Sequence, residues 1–352
     1  MKVNELDTPA LLVDLDAVES NVRQMASFLR GTPAKLRPHF KNHKVPLLAW
    51  KQLEAGAVGI TCATLREAEV LVTHGVRSIL IANEIAGETK LNWFADLSRH
   101  ADIIVAVDDE RVVNDLAWTS RKRGLPLSVV VDLDVGLKRC GVQPGEQACR
   151  LAKAAVEKGL RFRGLMGYEG NLQALPPSDE KDRLVRIVTK SLTDTAAAIE
   201  AGGIPVEMVS TSGTGTYYIS ALWPGVTEIQ AGSYLLMDTI YVQRGSTFQR
   251  SLTVLATVVS RPEPTRAVVD CGVKALSGER GLSTLKGIEG VEMKALHAVH
   301  APLEIHDPRT CLEVGQKVEF WVHYSDATVH LHDRMYGVRN GEIEEVFKIE
   351  RA

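Results

Sequence analysis

Through the first two thirds of the chain, apolar residues cluster in short, β-branched runs separated by longer stretches of a different rhythm. The runs are Lys35–His39, Gly59–Cys62, Ile79–Ala82, Ile103–Val107, Ser128–Asp134, Gly164–Tyr168, Val206–Ser210 and Glu228–Gly232, and each predicts a buried strand. Between most of them, apolar side chains recur near every 3.6 positions, as an amphipathic helix requires. Val18, Val22, Met25 and Leu29 form one such stripe, and Leu65, Ala68, Leu71 and Val72 another. Eight strands alternating with helices at spacings of roughly 20 to 40 residues predict an α/β fold, a (β/α)8 TIM-like barrel. A doubly wound open sheet is the competing arrangement.

Near residue 243 the rhythm changes. LTVLATVVSR, RAVVDCG, KVEFWVHY and MYGVRNGEIEEVFKI read as strands joined by turns, with Asn340-Gly341 as a hairpin signal. The pattern therefore predicts a barrel over residues 13–243 and a β domain over 244–352. At 352 residues the chain is long enough for both.

Hydrophobic residues make up 45% and charged residues 24%, which excludes global disorder. The net charge of −3 offers no basic surface for nucleic acid. No apolar run is long enough to span a bilayer, and the acidic residues within MKVNELDTPALLVDLDAVES make it a poor signal peptide. Five scattered cysteines without CxxC spacing suit a reducing cytoplasm better than a disulfide framework.

Four segments carry candidate chemistry. Arg37–Lys44 (RPHFKNHK) follows the first barrel strand, where barrel active sites gather. If extension continues, His39, Lys41 and His43 share one face. Burial of an amine favours its neutral, nucleophilic form, which is how a Schiff-base lysine is activated; a solvated basic turn is the bland alternative. Ser210–Thr216 follows the seventh strand and Gln230–Tyr234 the eighth. Two small-residue turns in those places suit a phosphate, although most such turns are only turns. Arg139, in DLDVGLKRCG after the fifth strand, could reach an anion or sit on the surface. In HYSDATVHLHD (323–333), three histidines and two aspartates suggest a divalent metal with mixed nitrogen and oxygen ligands. As a strand, the segment would place 326, 328, 330 and 332 on one face; a polar edge strand is the alternative.

Taken together, RPHFKNHK, YEGNLQ (168–173), STSGTGTYY (210–218), QAGSYLLMD (230–238) and SDATVHLHD (325–333) resemble the metal-activated D-threonine aldolase and D-serine dehydratase group. These are pyridoxal phosphate enzymes of the alanine-racemase fold, fold type III. The resemblance runs from LDTP (6–9) to VRNG (338–341), in the family's order. It implies Lys41 as the Schiff-base lysine, Arg139 near the cofactor's phenolic oxygen, and Tyr168 beside its ring and the substrate. Ser212, Gly213, Thr214, Gly215, Gly232, Ser233 and Tyr234 fall on the phosphate-binding positions. Asp326 falls on one of two metal-ligand positions, with His323 as the nearby histidine. The resemblance also implies that residues 1–12 join the β domain and that the chain forms a homodimer acting on a small D-amino acid, with no nucleic acid or membrane partner.

Two departures stand out. The family's ligand histidine lies two residues before the second ligand, where this chain has Tyr324; His323 is one residue early, and a one-residue slip reverses side-chain direction in a strand. A bulge restoring His323, a weakened site, or substitution by His300 or His330 are the options. Ala63 replaces a glutamine that aldolases of the group often carry near the cofactor. The expected activity is pyridoxal phosphate- and divalent metal-dependent (Mn, Mg or Zn) cleavage of β-hydroxy-D-amino acids to glycine and an aldehyde. The oxygen ligand Asp326, where dehydratases carry cysteine, favours this over α,β-elimination to a keto acid and ammonia. Lys41 and Tyr168, with His43 as acid–base partner or as a structural histidine, are the candidate catalytic groups. A non-catalytic pyridoxal phosphate-binding protein, a racemase and a cofactor-free metal hydrolase are the remaining alternatives.

Overall fold

The computed structural model describes residues 1–351 apart from 174 and 308; residue 352, the last of the expected β domain, lies outside the described residues. The chain divides into two compact units. One consists of Met25–Lys41 and Pro46–Gly232, the other of Met1–Gln24, Asn42–Val45 and Ser233–Arg351. Among the described residues, no helix is long and apolar enough to cross a membrane.

Strand β1 (Ala10–Asp14) belongs to the second unit. The first unit carries eight parallel strands: β2 (Lys35–Leu36), β3 (Ile60–Cys62), β4 (Ser78–Glu84), β5 (Asp102–Val107), β6 (Ser128–Leu133), β7 (Arg161–Gly167), β8 (Met208–Thr211) and β9 (Glu228–Ile229). Each overlaps one of the eight runs read as strands. Their order, β2-β9-β8-β7-β6-β5-β4-β3, follows the chain in one direction all the way round. The edges β2 and β3 meet through a parallel bridge between His39 and Thr61, and the Val58 N–H donates to the Leu36 carbonyl. A doubly wound sheet reverses its order part-way, so this curled sheet is the barrel.

Alternation along the strands builds two cores. Ile79, Ile81, Ile103, Val105, Val107, Val129 and Val131 face the helices. Leu80, Ile104, Ala106, Val130, Met166 and Met208 fill the interior. Each such side chain contributes about 1.5–3 kcal/mol by leaving water. Where the strands begin, the barrel holds a buried ion pair: Arg37 donates from Nε and Nη2 to Glu228 at 2.7 and 2.8 Å, and from Nη1 to the Ser78 hydroxyl at 2.9 Å. Gly59 lies against that guanidinium, and any side chain there would collide with it.

The second unit is built on β1, β10 (Leu252–Glu263), β11 (Arg266–Val269), β12 (Thr284–Leu285), β13 (Val291–Met293), β14 (Ala301–Ile305), β15 (Lys317–Trp321), β16 (Arg334–Arg339) and β17 (Glu342–Lys348). The main order is β13-β14-β11-β10-β1-β16-β17, with β15 pairing β10 and β12. Strand β1 therefore lies in mid-sheet, antiparallel to β10 and parallel to β16, which is why ALLV is apolar throughout and buried. Asn340 and Gly341 take φ values of 52° and 75° and close the β16–β17 hairpin.

Two local expectations are corrected. Extension does not continue past His39: Phe40–Asn42 is a turn of 3₁₀ helix, so Lys41 and His43 do not share a strand face. Ser325–His330 is a short helix, not a strand. The buried Asp238 carboxylate accepts both the Ser325 N–H (3.0 Å) and its hydroxyl (2.8 Å), which fixes the start of that helix. His323 and Tyr324 therefore precede a helix and are not related by a one-residue slip within a strand.

Candidate functional site

In the barrel unit, three predicted residues converge where the strands end. Lys41 lies on the turn after β2, Arg139 in the loop after β6, and Tyr168 directly after β7. The Lys41 Nζ and the Arg139 guanidinium each lie 6.0 Å from the centre of the Tyr168 ring. Lys41 and Tyr168 are half-buried and Arg139 is exposed.

The loop after β8 is held from below by a carboxylate that sequence reasoning did not single out. Glu169, fully buried, accepts hydroxyl hydrogen bonds from Ser212 (3.0 Å), Thr216 (2.5 Å) and Thr211 (3.2 Å), and one from Gln173 Nε2 (3.2 Å). Gln173 Oε1 in turn accepts the Gly215 N–H at 2.8 Å. A Cβ on Gly213 or Gly215 would come within 2.9 Å of that oxygen, which explains both glycines. Ser212 adopts a left-handed backbone, φ 68°, and turns the chain sharply. On the loop after β9, a Cβ on Gly232 would lie 2.6 Å from the His39 carbonyl oxygen. Ser233 and Tyr234 belong to the other unit, where the buried Tyr234 ring lies 5.3 Å from Phe248.

Beside Arg139 lies a second feature the sequence did not announce. Ligand atoms of Glu84, Asp108 and Cys140 all lie within 4.8 Å of one another. Burial first, and then the Glu84 charge, push the neighbouring Asp132 carboxyl up to about 8. Burial and the same carboxylate push the Cys140 thiol up to about 11. Ala63 donates its N–H to Glu67 at 2.7 Å.

In the β unit, Asn42 leads to a different network. Its Nδ2 donates to the Ser325 hydroxyl (2.8 Å) and to Asp326 Oδ1 (2.5 Å), and Ser325 donates onward to Asp238. Tyr324 is half-buried, and the Arg280 guanidinium lies 4.5 Å from its ring centre. Burial, then the Asp326 charge, push the Tyr324 phenol up to about 12. The His323 ring lies against Gly281 and its backbone N–H donates to Ser283. His330 Nδ1 lies 2.8 Å from Lys44 Nζ, and that ammonium is the first cause of its lowered pKa. His43 is buried, and its Nδ1 accepts the Val45 N–H at 3.1 Å.

Residues 13–239 match the family described as alanine racemase, N-terminal domain, and residues 251–338 match a serine dehydratase domain family. The chain is 33% identical over 349 residues to a D-threonine aldolase from an Arthrobacter species, covering 98% of this chain and 92% of the relative. It belongs to the D-threonine aldolase group of the alanine-racemase fold family. A 3-hydroxy-D-aspartate aldolase from Paracoccus denitrificans is 32% identical over 362 residues, with 99% and 93% covered. The crystal structure of a D-threonine aldolase from Filomicrobium marinum superposes with a TM-score of 0.97 at 35% identity, covering 100% and 97%. A D-threo-3-hydroxyaspartate dehydratase superposes with a TM-score of 0.93 at 25% identity, covering 99% of both chains.

The barrel unit suits the family's pyridoxal phosphate. A primary amine and a guanidinium flank one aromatic ring, and the Ser212 and Thr216 hydroxyls turn down onto Glu169, leaving a small-residue backbone for a phosphate. The fit to the group's metal is poor. Asp326 offers one oxygen donor, already hydrogen-bonded to Asn42, and the position two residues before it is a phenol.

Proposed function

We propose that the chain is a pyridoxal phosphate-dependent lyase that cleaves β-hydroxy-D-amino acids to glycine and an aldehyde. The observation that carries this reading is the end-to-end likeness to two aldolases, at 33% and 32% identity. The likeness to a D-threo-3-hydroxyaspartate dehydratase, 30% identical over 286 residues and covering 80% of this chain, is less extensive and supports α,β-elimination as the second reading.

When bound, pyridoxal phosphate supplies an electron sink for the electron pair left on Cα. Lys41 would hold its aldehyde carbon and, once displaced by the substrate amine, carry a proton. Tyr168 would pack beside the ring, and Arg139 would donate to the phenolic oxygen through its fork. Asp132, raised to about 8, lies close enough to Arg139 for the two to interact and would help orient its guanidinium. Ser212, Gly213, Thr214, Gly215 and Gly232, with Ser233 and Tyr234, are the proposed phosphate contacts. A base takes the β-hydroxyl proton, the Cα–Cβ bond breaks, the aldehyde leaves, and Cα is protonated to give glycine. For His43, the Val45 contact supports a structural part in setting the turn after Lys41.

The same proposal places the enzyme in a reducing cytoplasm as a homodimer. The five cysteines, none of them in a disulfide, support the first, and light scattering on the purified protein tests the second. The deciding experiment offers D-threonine and 3-hydroxy-D-aspartate separately to the cofactor-loaded protein. Glycine with acetaldehyde or glyoxylate supports the aldolase; a keto acid with ammonia would replace it by the dehydratase.

A further inference from the structure

We propose that this chain holds no divalent ion at the family's metal position, because Tyr324 stands in place of the ligand histidine and Arg280 brings a fixed positive charge to it. The inference rests on the family reading for the location of the site, but not for its test.

The donor chemistry comes first. The group's ligands lie two residues apart, and here those positions are Tyr324 and Asp326. A neutral phenol is a weak donor to a cation, whereas a neutral imidazole presents a directed lone pair. The charge balance follows. The Arg280 guanidinium, paired with Glu279 at 3.7 Å, lies 4.5 Å from the Tyr324 ring centre, so an ion bound there would also face this cation at short range. Asp326 is also partly committed, since its Oδ1 takes the Asn42 amide at 2.5 Å within the buried Asp238–Ser325–Asn42 network.

Two of the histidines that could substitute, His330 and His332, have a ring nitrogen already engaged. His323 precedes the helix and packs on Gly281, which is left-handed at φ 138° and where any side chain would strike the ring. His330 turns Nδ1 to Lys44, and His332 Nε2 lies 2.8 Å from the Ala275 carbonyl. His300 is exposed in the loop before β14.

The test is metal content, read without turnover. The full chain, loaded with pyridoxal phosphate, is equilibrated with Mn²⁺ or Zn²⁺ in separate samples, desalted, and assayed by inductively coupled plasma mass spectrometry. Wild type should retain only trace metal. Tyr324→His should retain about one ion per chain, with Mn²⁺ affinity raised at least about 10–100-fold, and adding Asp326→Ala should abolish the gain. A stoichiometric ion in wild type that Asp326→Ala removes would overturn the proposal, as would a folded Tyr324→His protein that retains none. Should that variant fail to fold, Mn²⁺ titration of wild type followed by electron paramagnetic resonance decides alone: tight one-to-one binding refutes the proposal. Glycine release by wild type should also stay within about twofold when EDTA is added. Absence of turnover with every substrate would count against the lyase reading while leaving the metal result to stand by itself.

Discussion

Replacing Asp132 with Asn should remove a specific part of the protein's pH-dependent stability. Asp132 is buried on β6, and its folded-state pKa is raised from 3.8 to about 8, by burial first and by Glu84 second. Between those values the unfolded chain has released this proton and the folded chain keeps it. Folding therefore takes up a proton, and stability falls as pH rises from about 4 to about 8. Each pH unit within that window is worth about 1.4 kcal/mol. Between roughly pH 5.5 and 7.5 wild type should lose up to nearly 3 kcal/mol through this group, trimmed to about 2 kcal/mol because the folded group itself begins to titrate near the top of that interval. Asparagine keeps the donor to Glu84 and does not titrate, so the variant should lose none of it. Tryptophan fluorescence during urea unfolding is a suitable assay, since Trp50, Trp93, Trp118 and Trp223 all lie in the barrel unit. With a slope of about 2 kcal/mol per molar urea, the wild-type midpoint should drop roughly 1 M more than the variant's over that pH interval. Parallel midpoints in the two proteins would show that Asp132 is ionised in the folded state and would refute the reasoning.

Further outcomes follow from other parts of the structure. Glu228→Ala strands the buried Arg37 guanidinium and should cost about 3–5 kcal/mol, lowering the calorimetric Tm by roughly 6–20 °C. Lys41→Ala should leave no lysine bearing reduced cofactor after borohydride treatment, read by peptide mass spectrometry; a labelled lysine elsewhere would sink that assignment. Gly213→Ala drives a methyl group toward Gln173 and should weaken pyridoxal phosphate binding by about tenfold or more, followed by absorbance titration. Burial lowers the His332 pKa below 6.5, so stability should fall on acidification below about pH 6.5 as the unfolded chain alone gains the proton; His332→Gln should flatten that slope in urea melts.

The barrel was legible because parallel strands covered on both sides need uninterrupted apolar runs, and all eight runs sit where the strands form. The Asn340-Gly341 turn was legible because few other pairs tolerate two successive left-handed residues. The helix at Ser325–His330 was not, because six residues hold too little periodicity and its start is fixed by Asp238, 87 positions away. The turn at Phe40–Asn42 escaped for the same reason of length. Lys41 and Arg139 could be singled out at strand ends and Tyr168 through the family resemblance, and the structure brings the three together around one ring. Glu169 and Asn42 each follow a singled-out residue directly. Their partners, Ser212, Thr216, Ser325 and Asp326, are distant in sequence, so no local pattern could reveal them.

The mid-sheet place of β1 bears on how the protein is made. Ala10 pairs with Leu255 and Leu12 with Tyr336, so this strand leaves the ribosome about 240 residues before its first sheet neighbour. At roughly 5–20 residues per second, that is a wait of about 10–50 s. Over that interval the barrel strands emerge in order and each can pair with its predecessor, while an apolar ALLV segment stays without its sheet. Nascent chains should therefore be most vulnerable to aggregation, and most dependent on chaperones, until β10 is out, and a frameshift that truncates the chain before Leu252 should leave that segment permanently exposed.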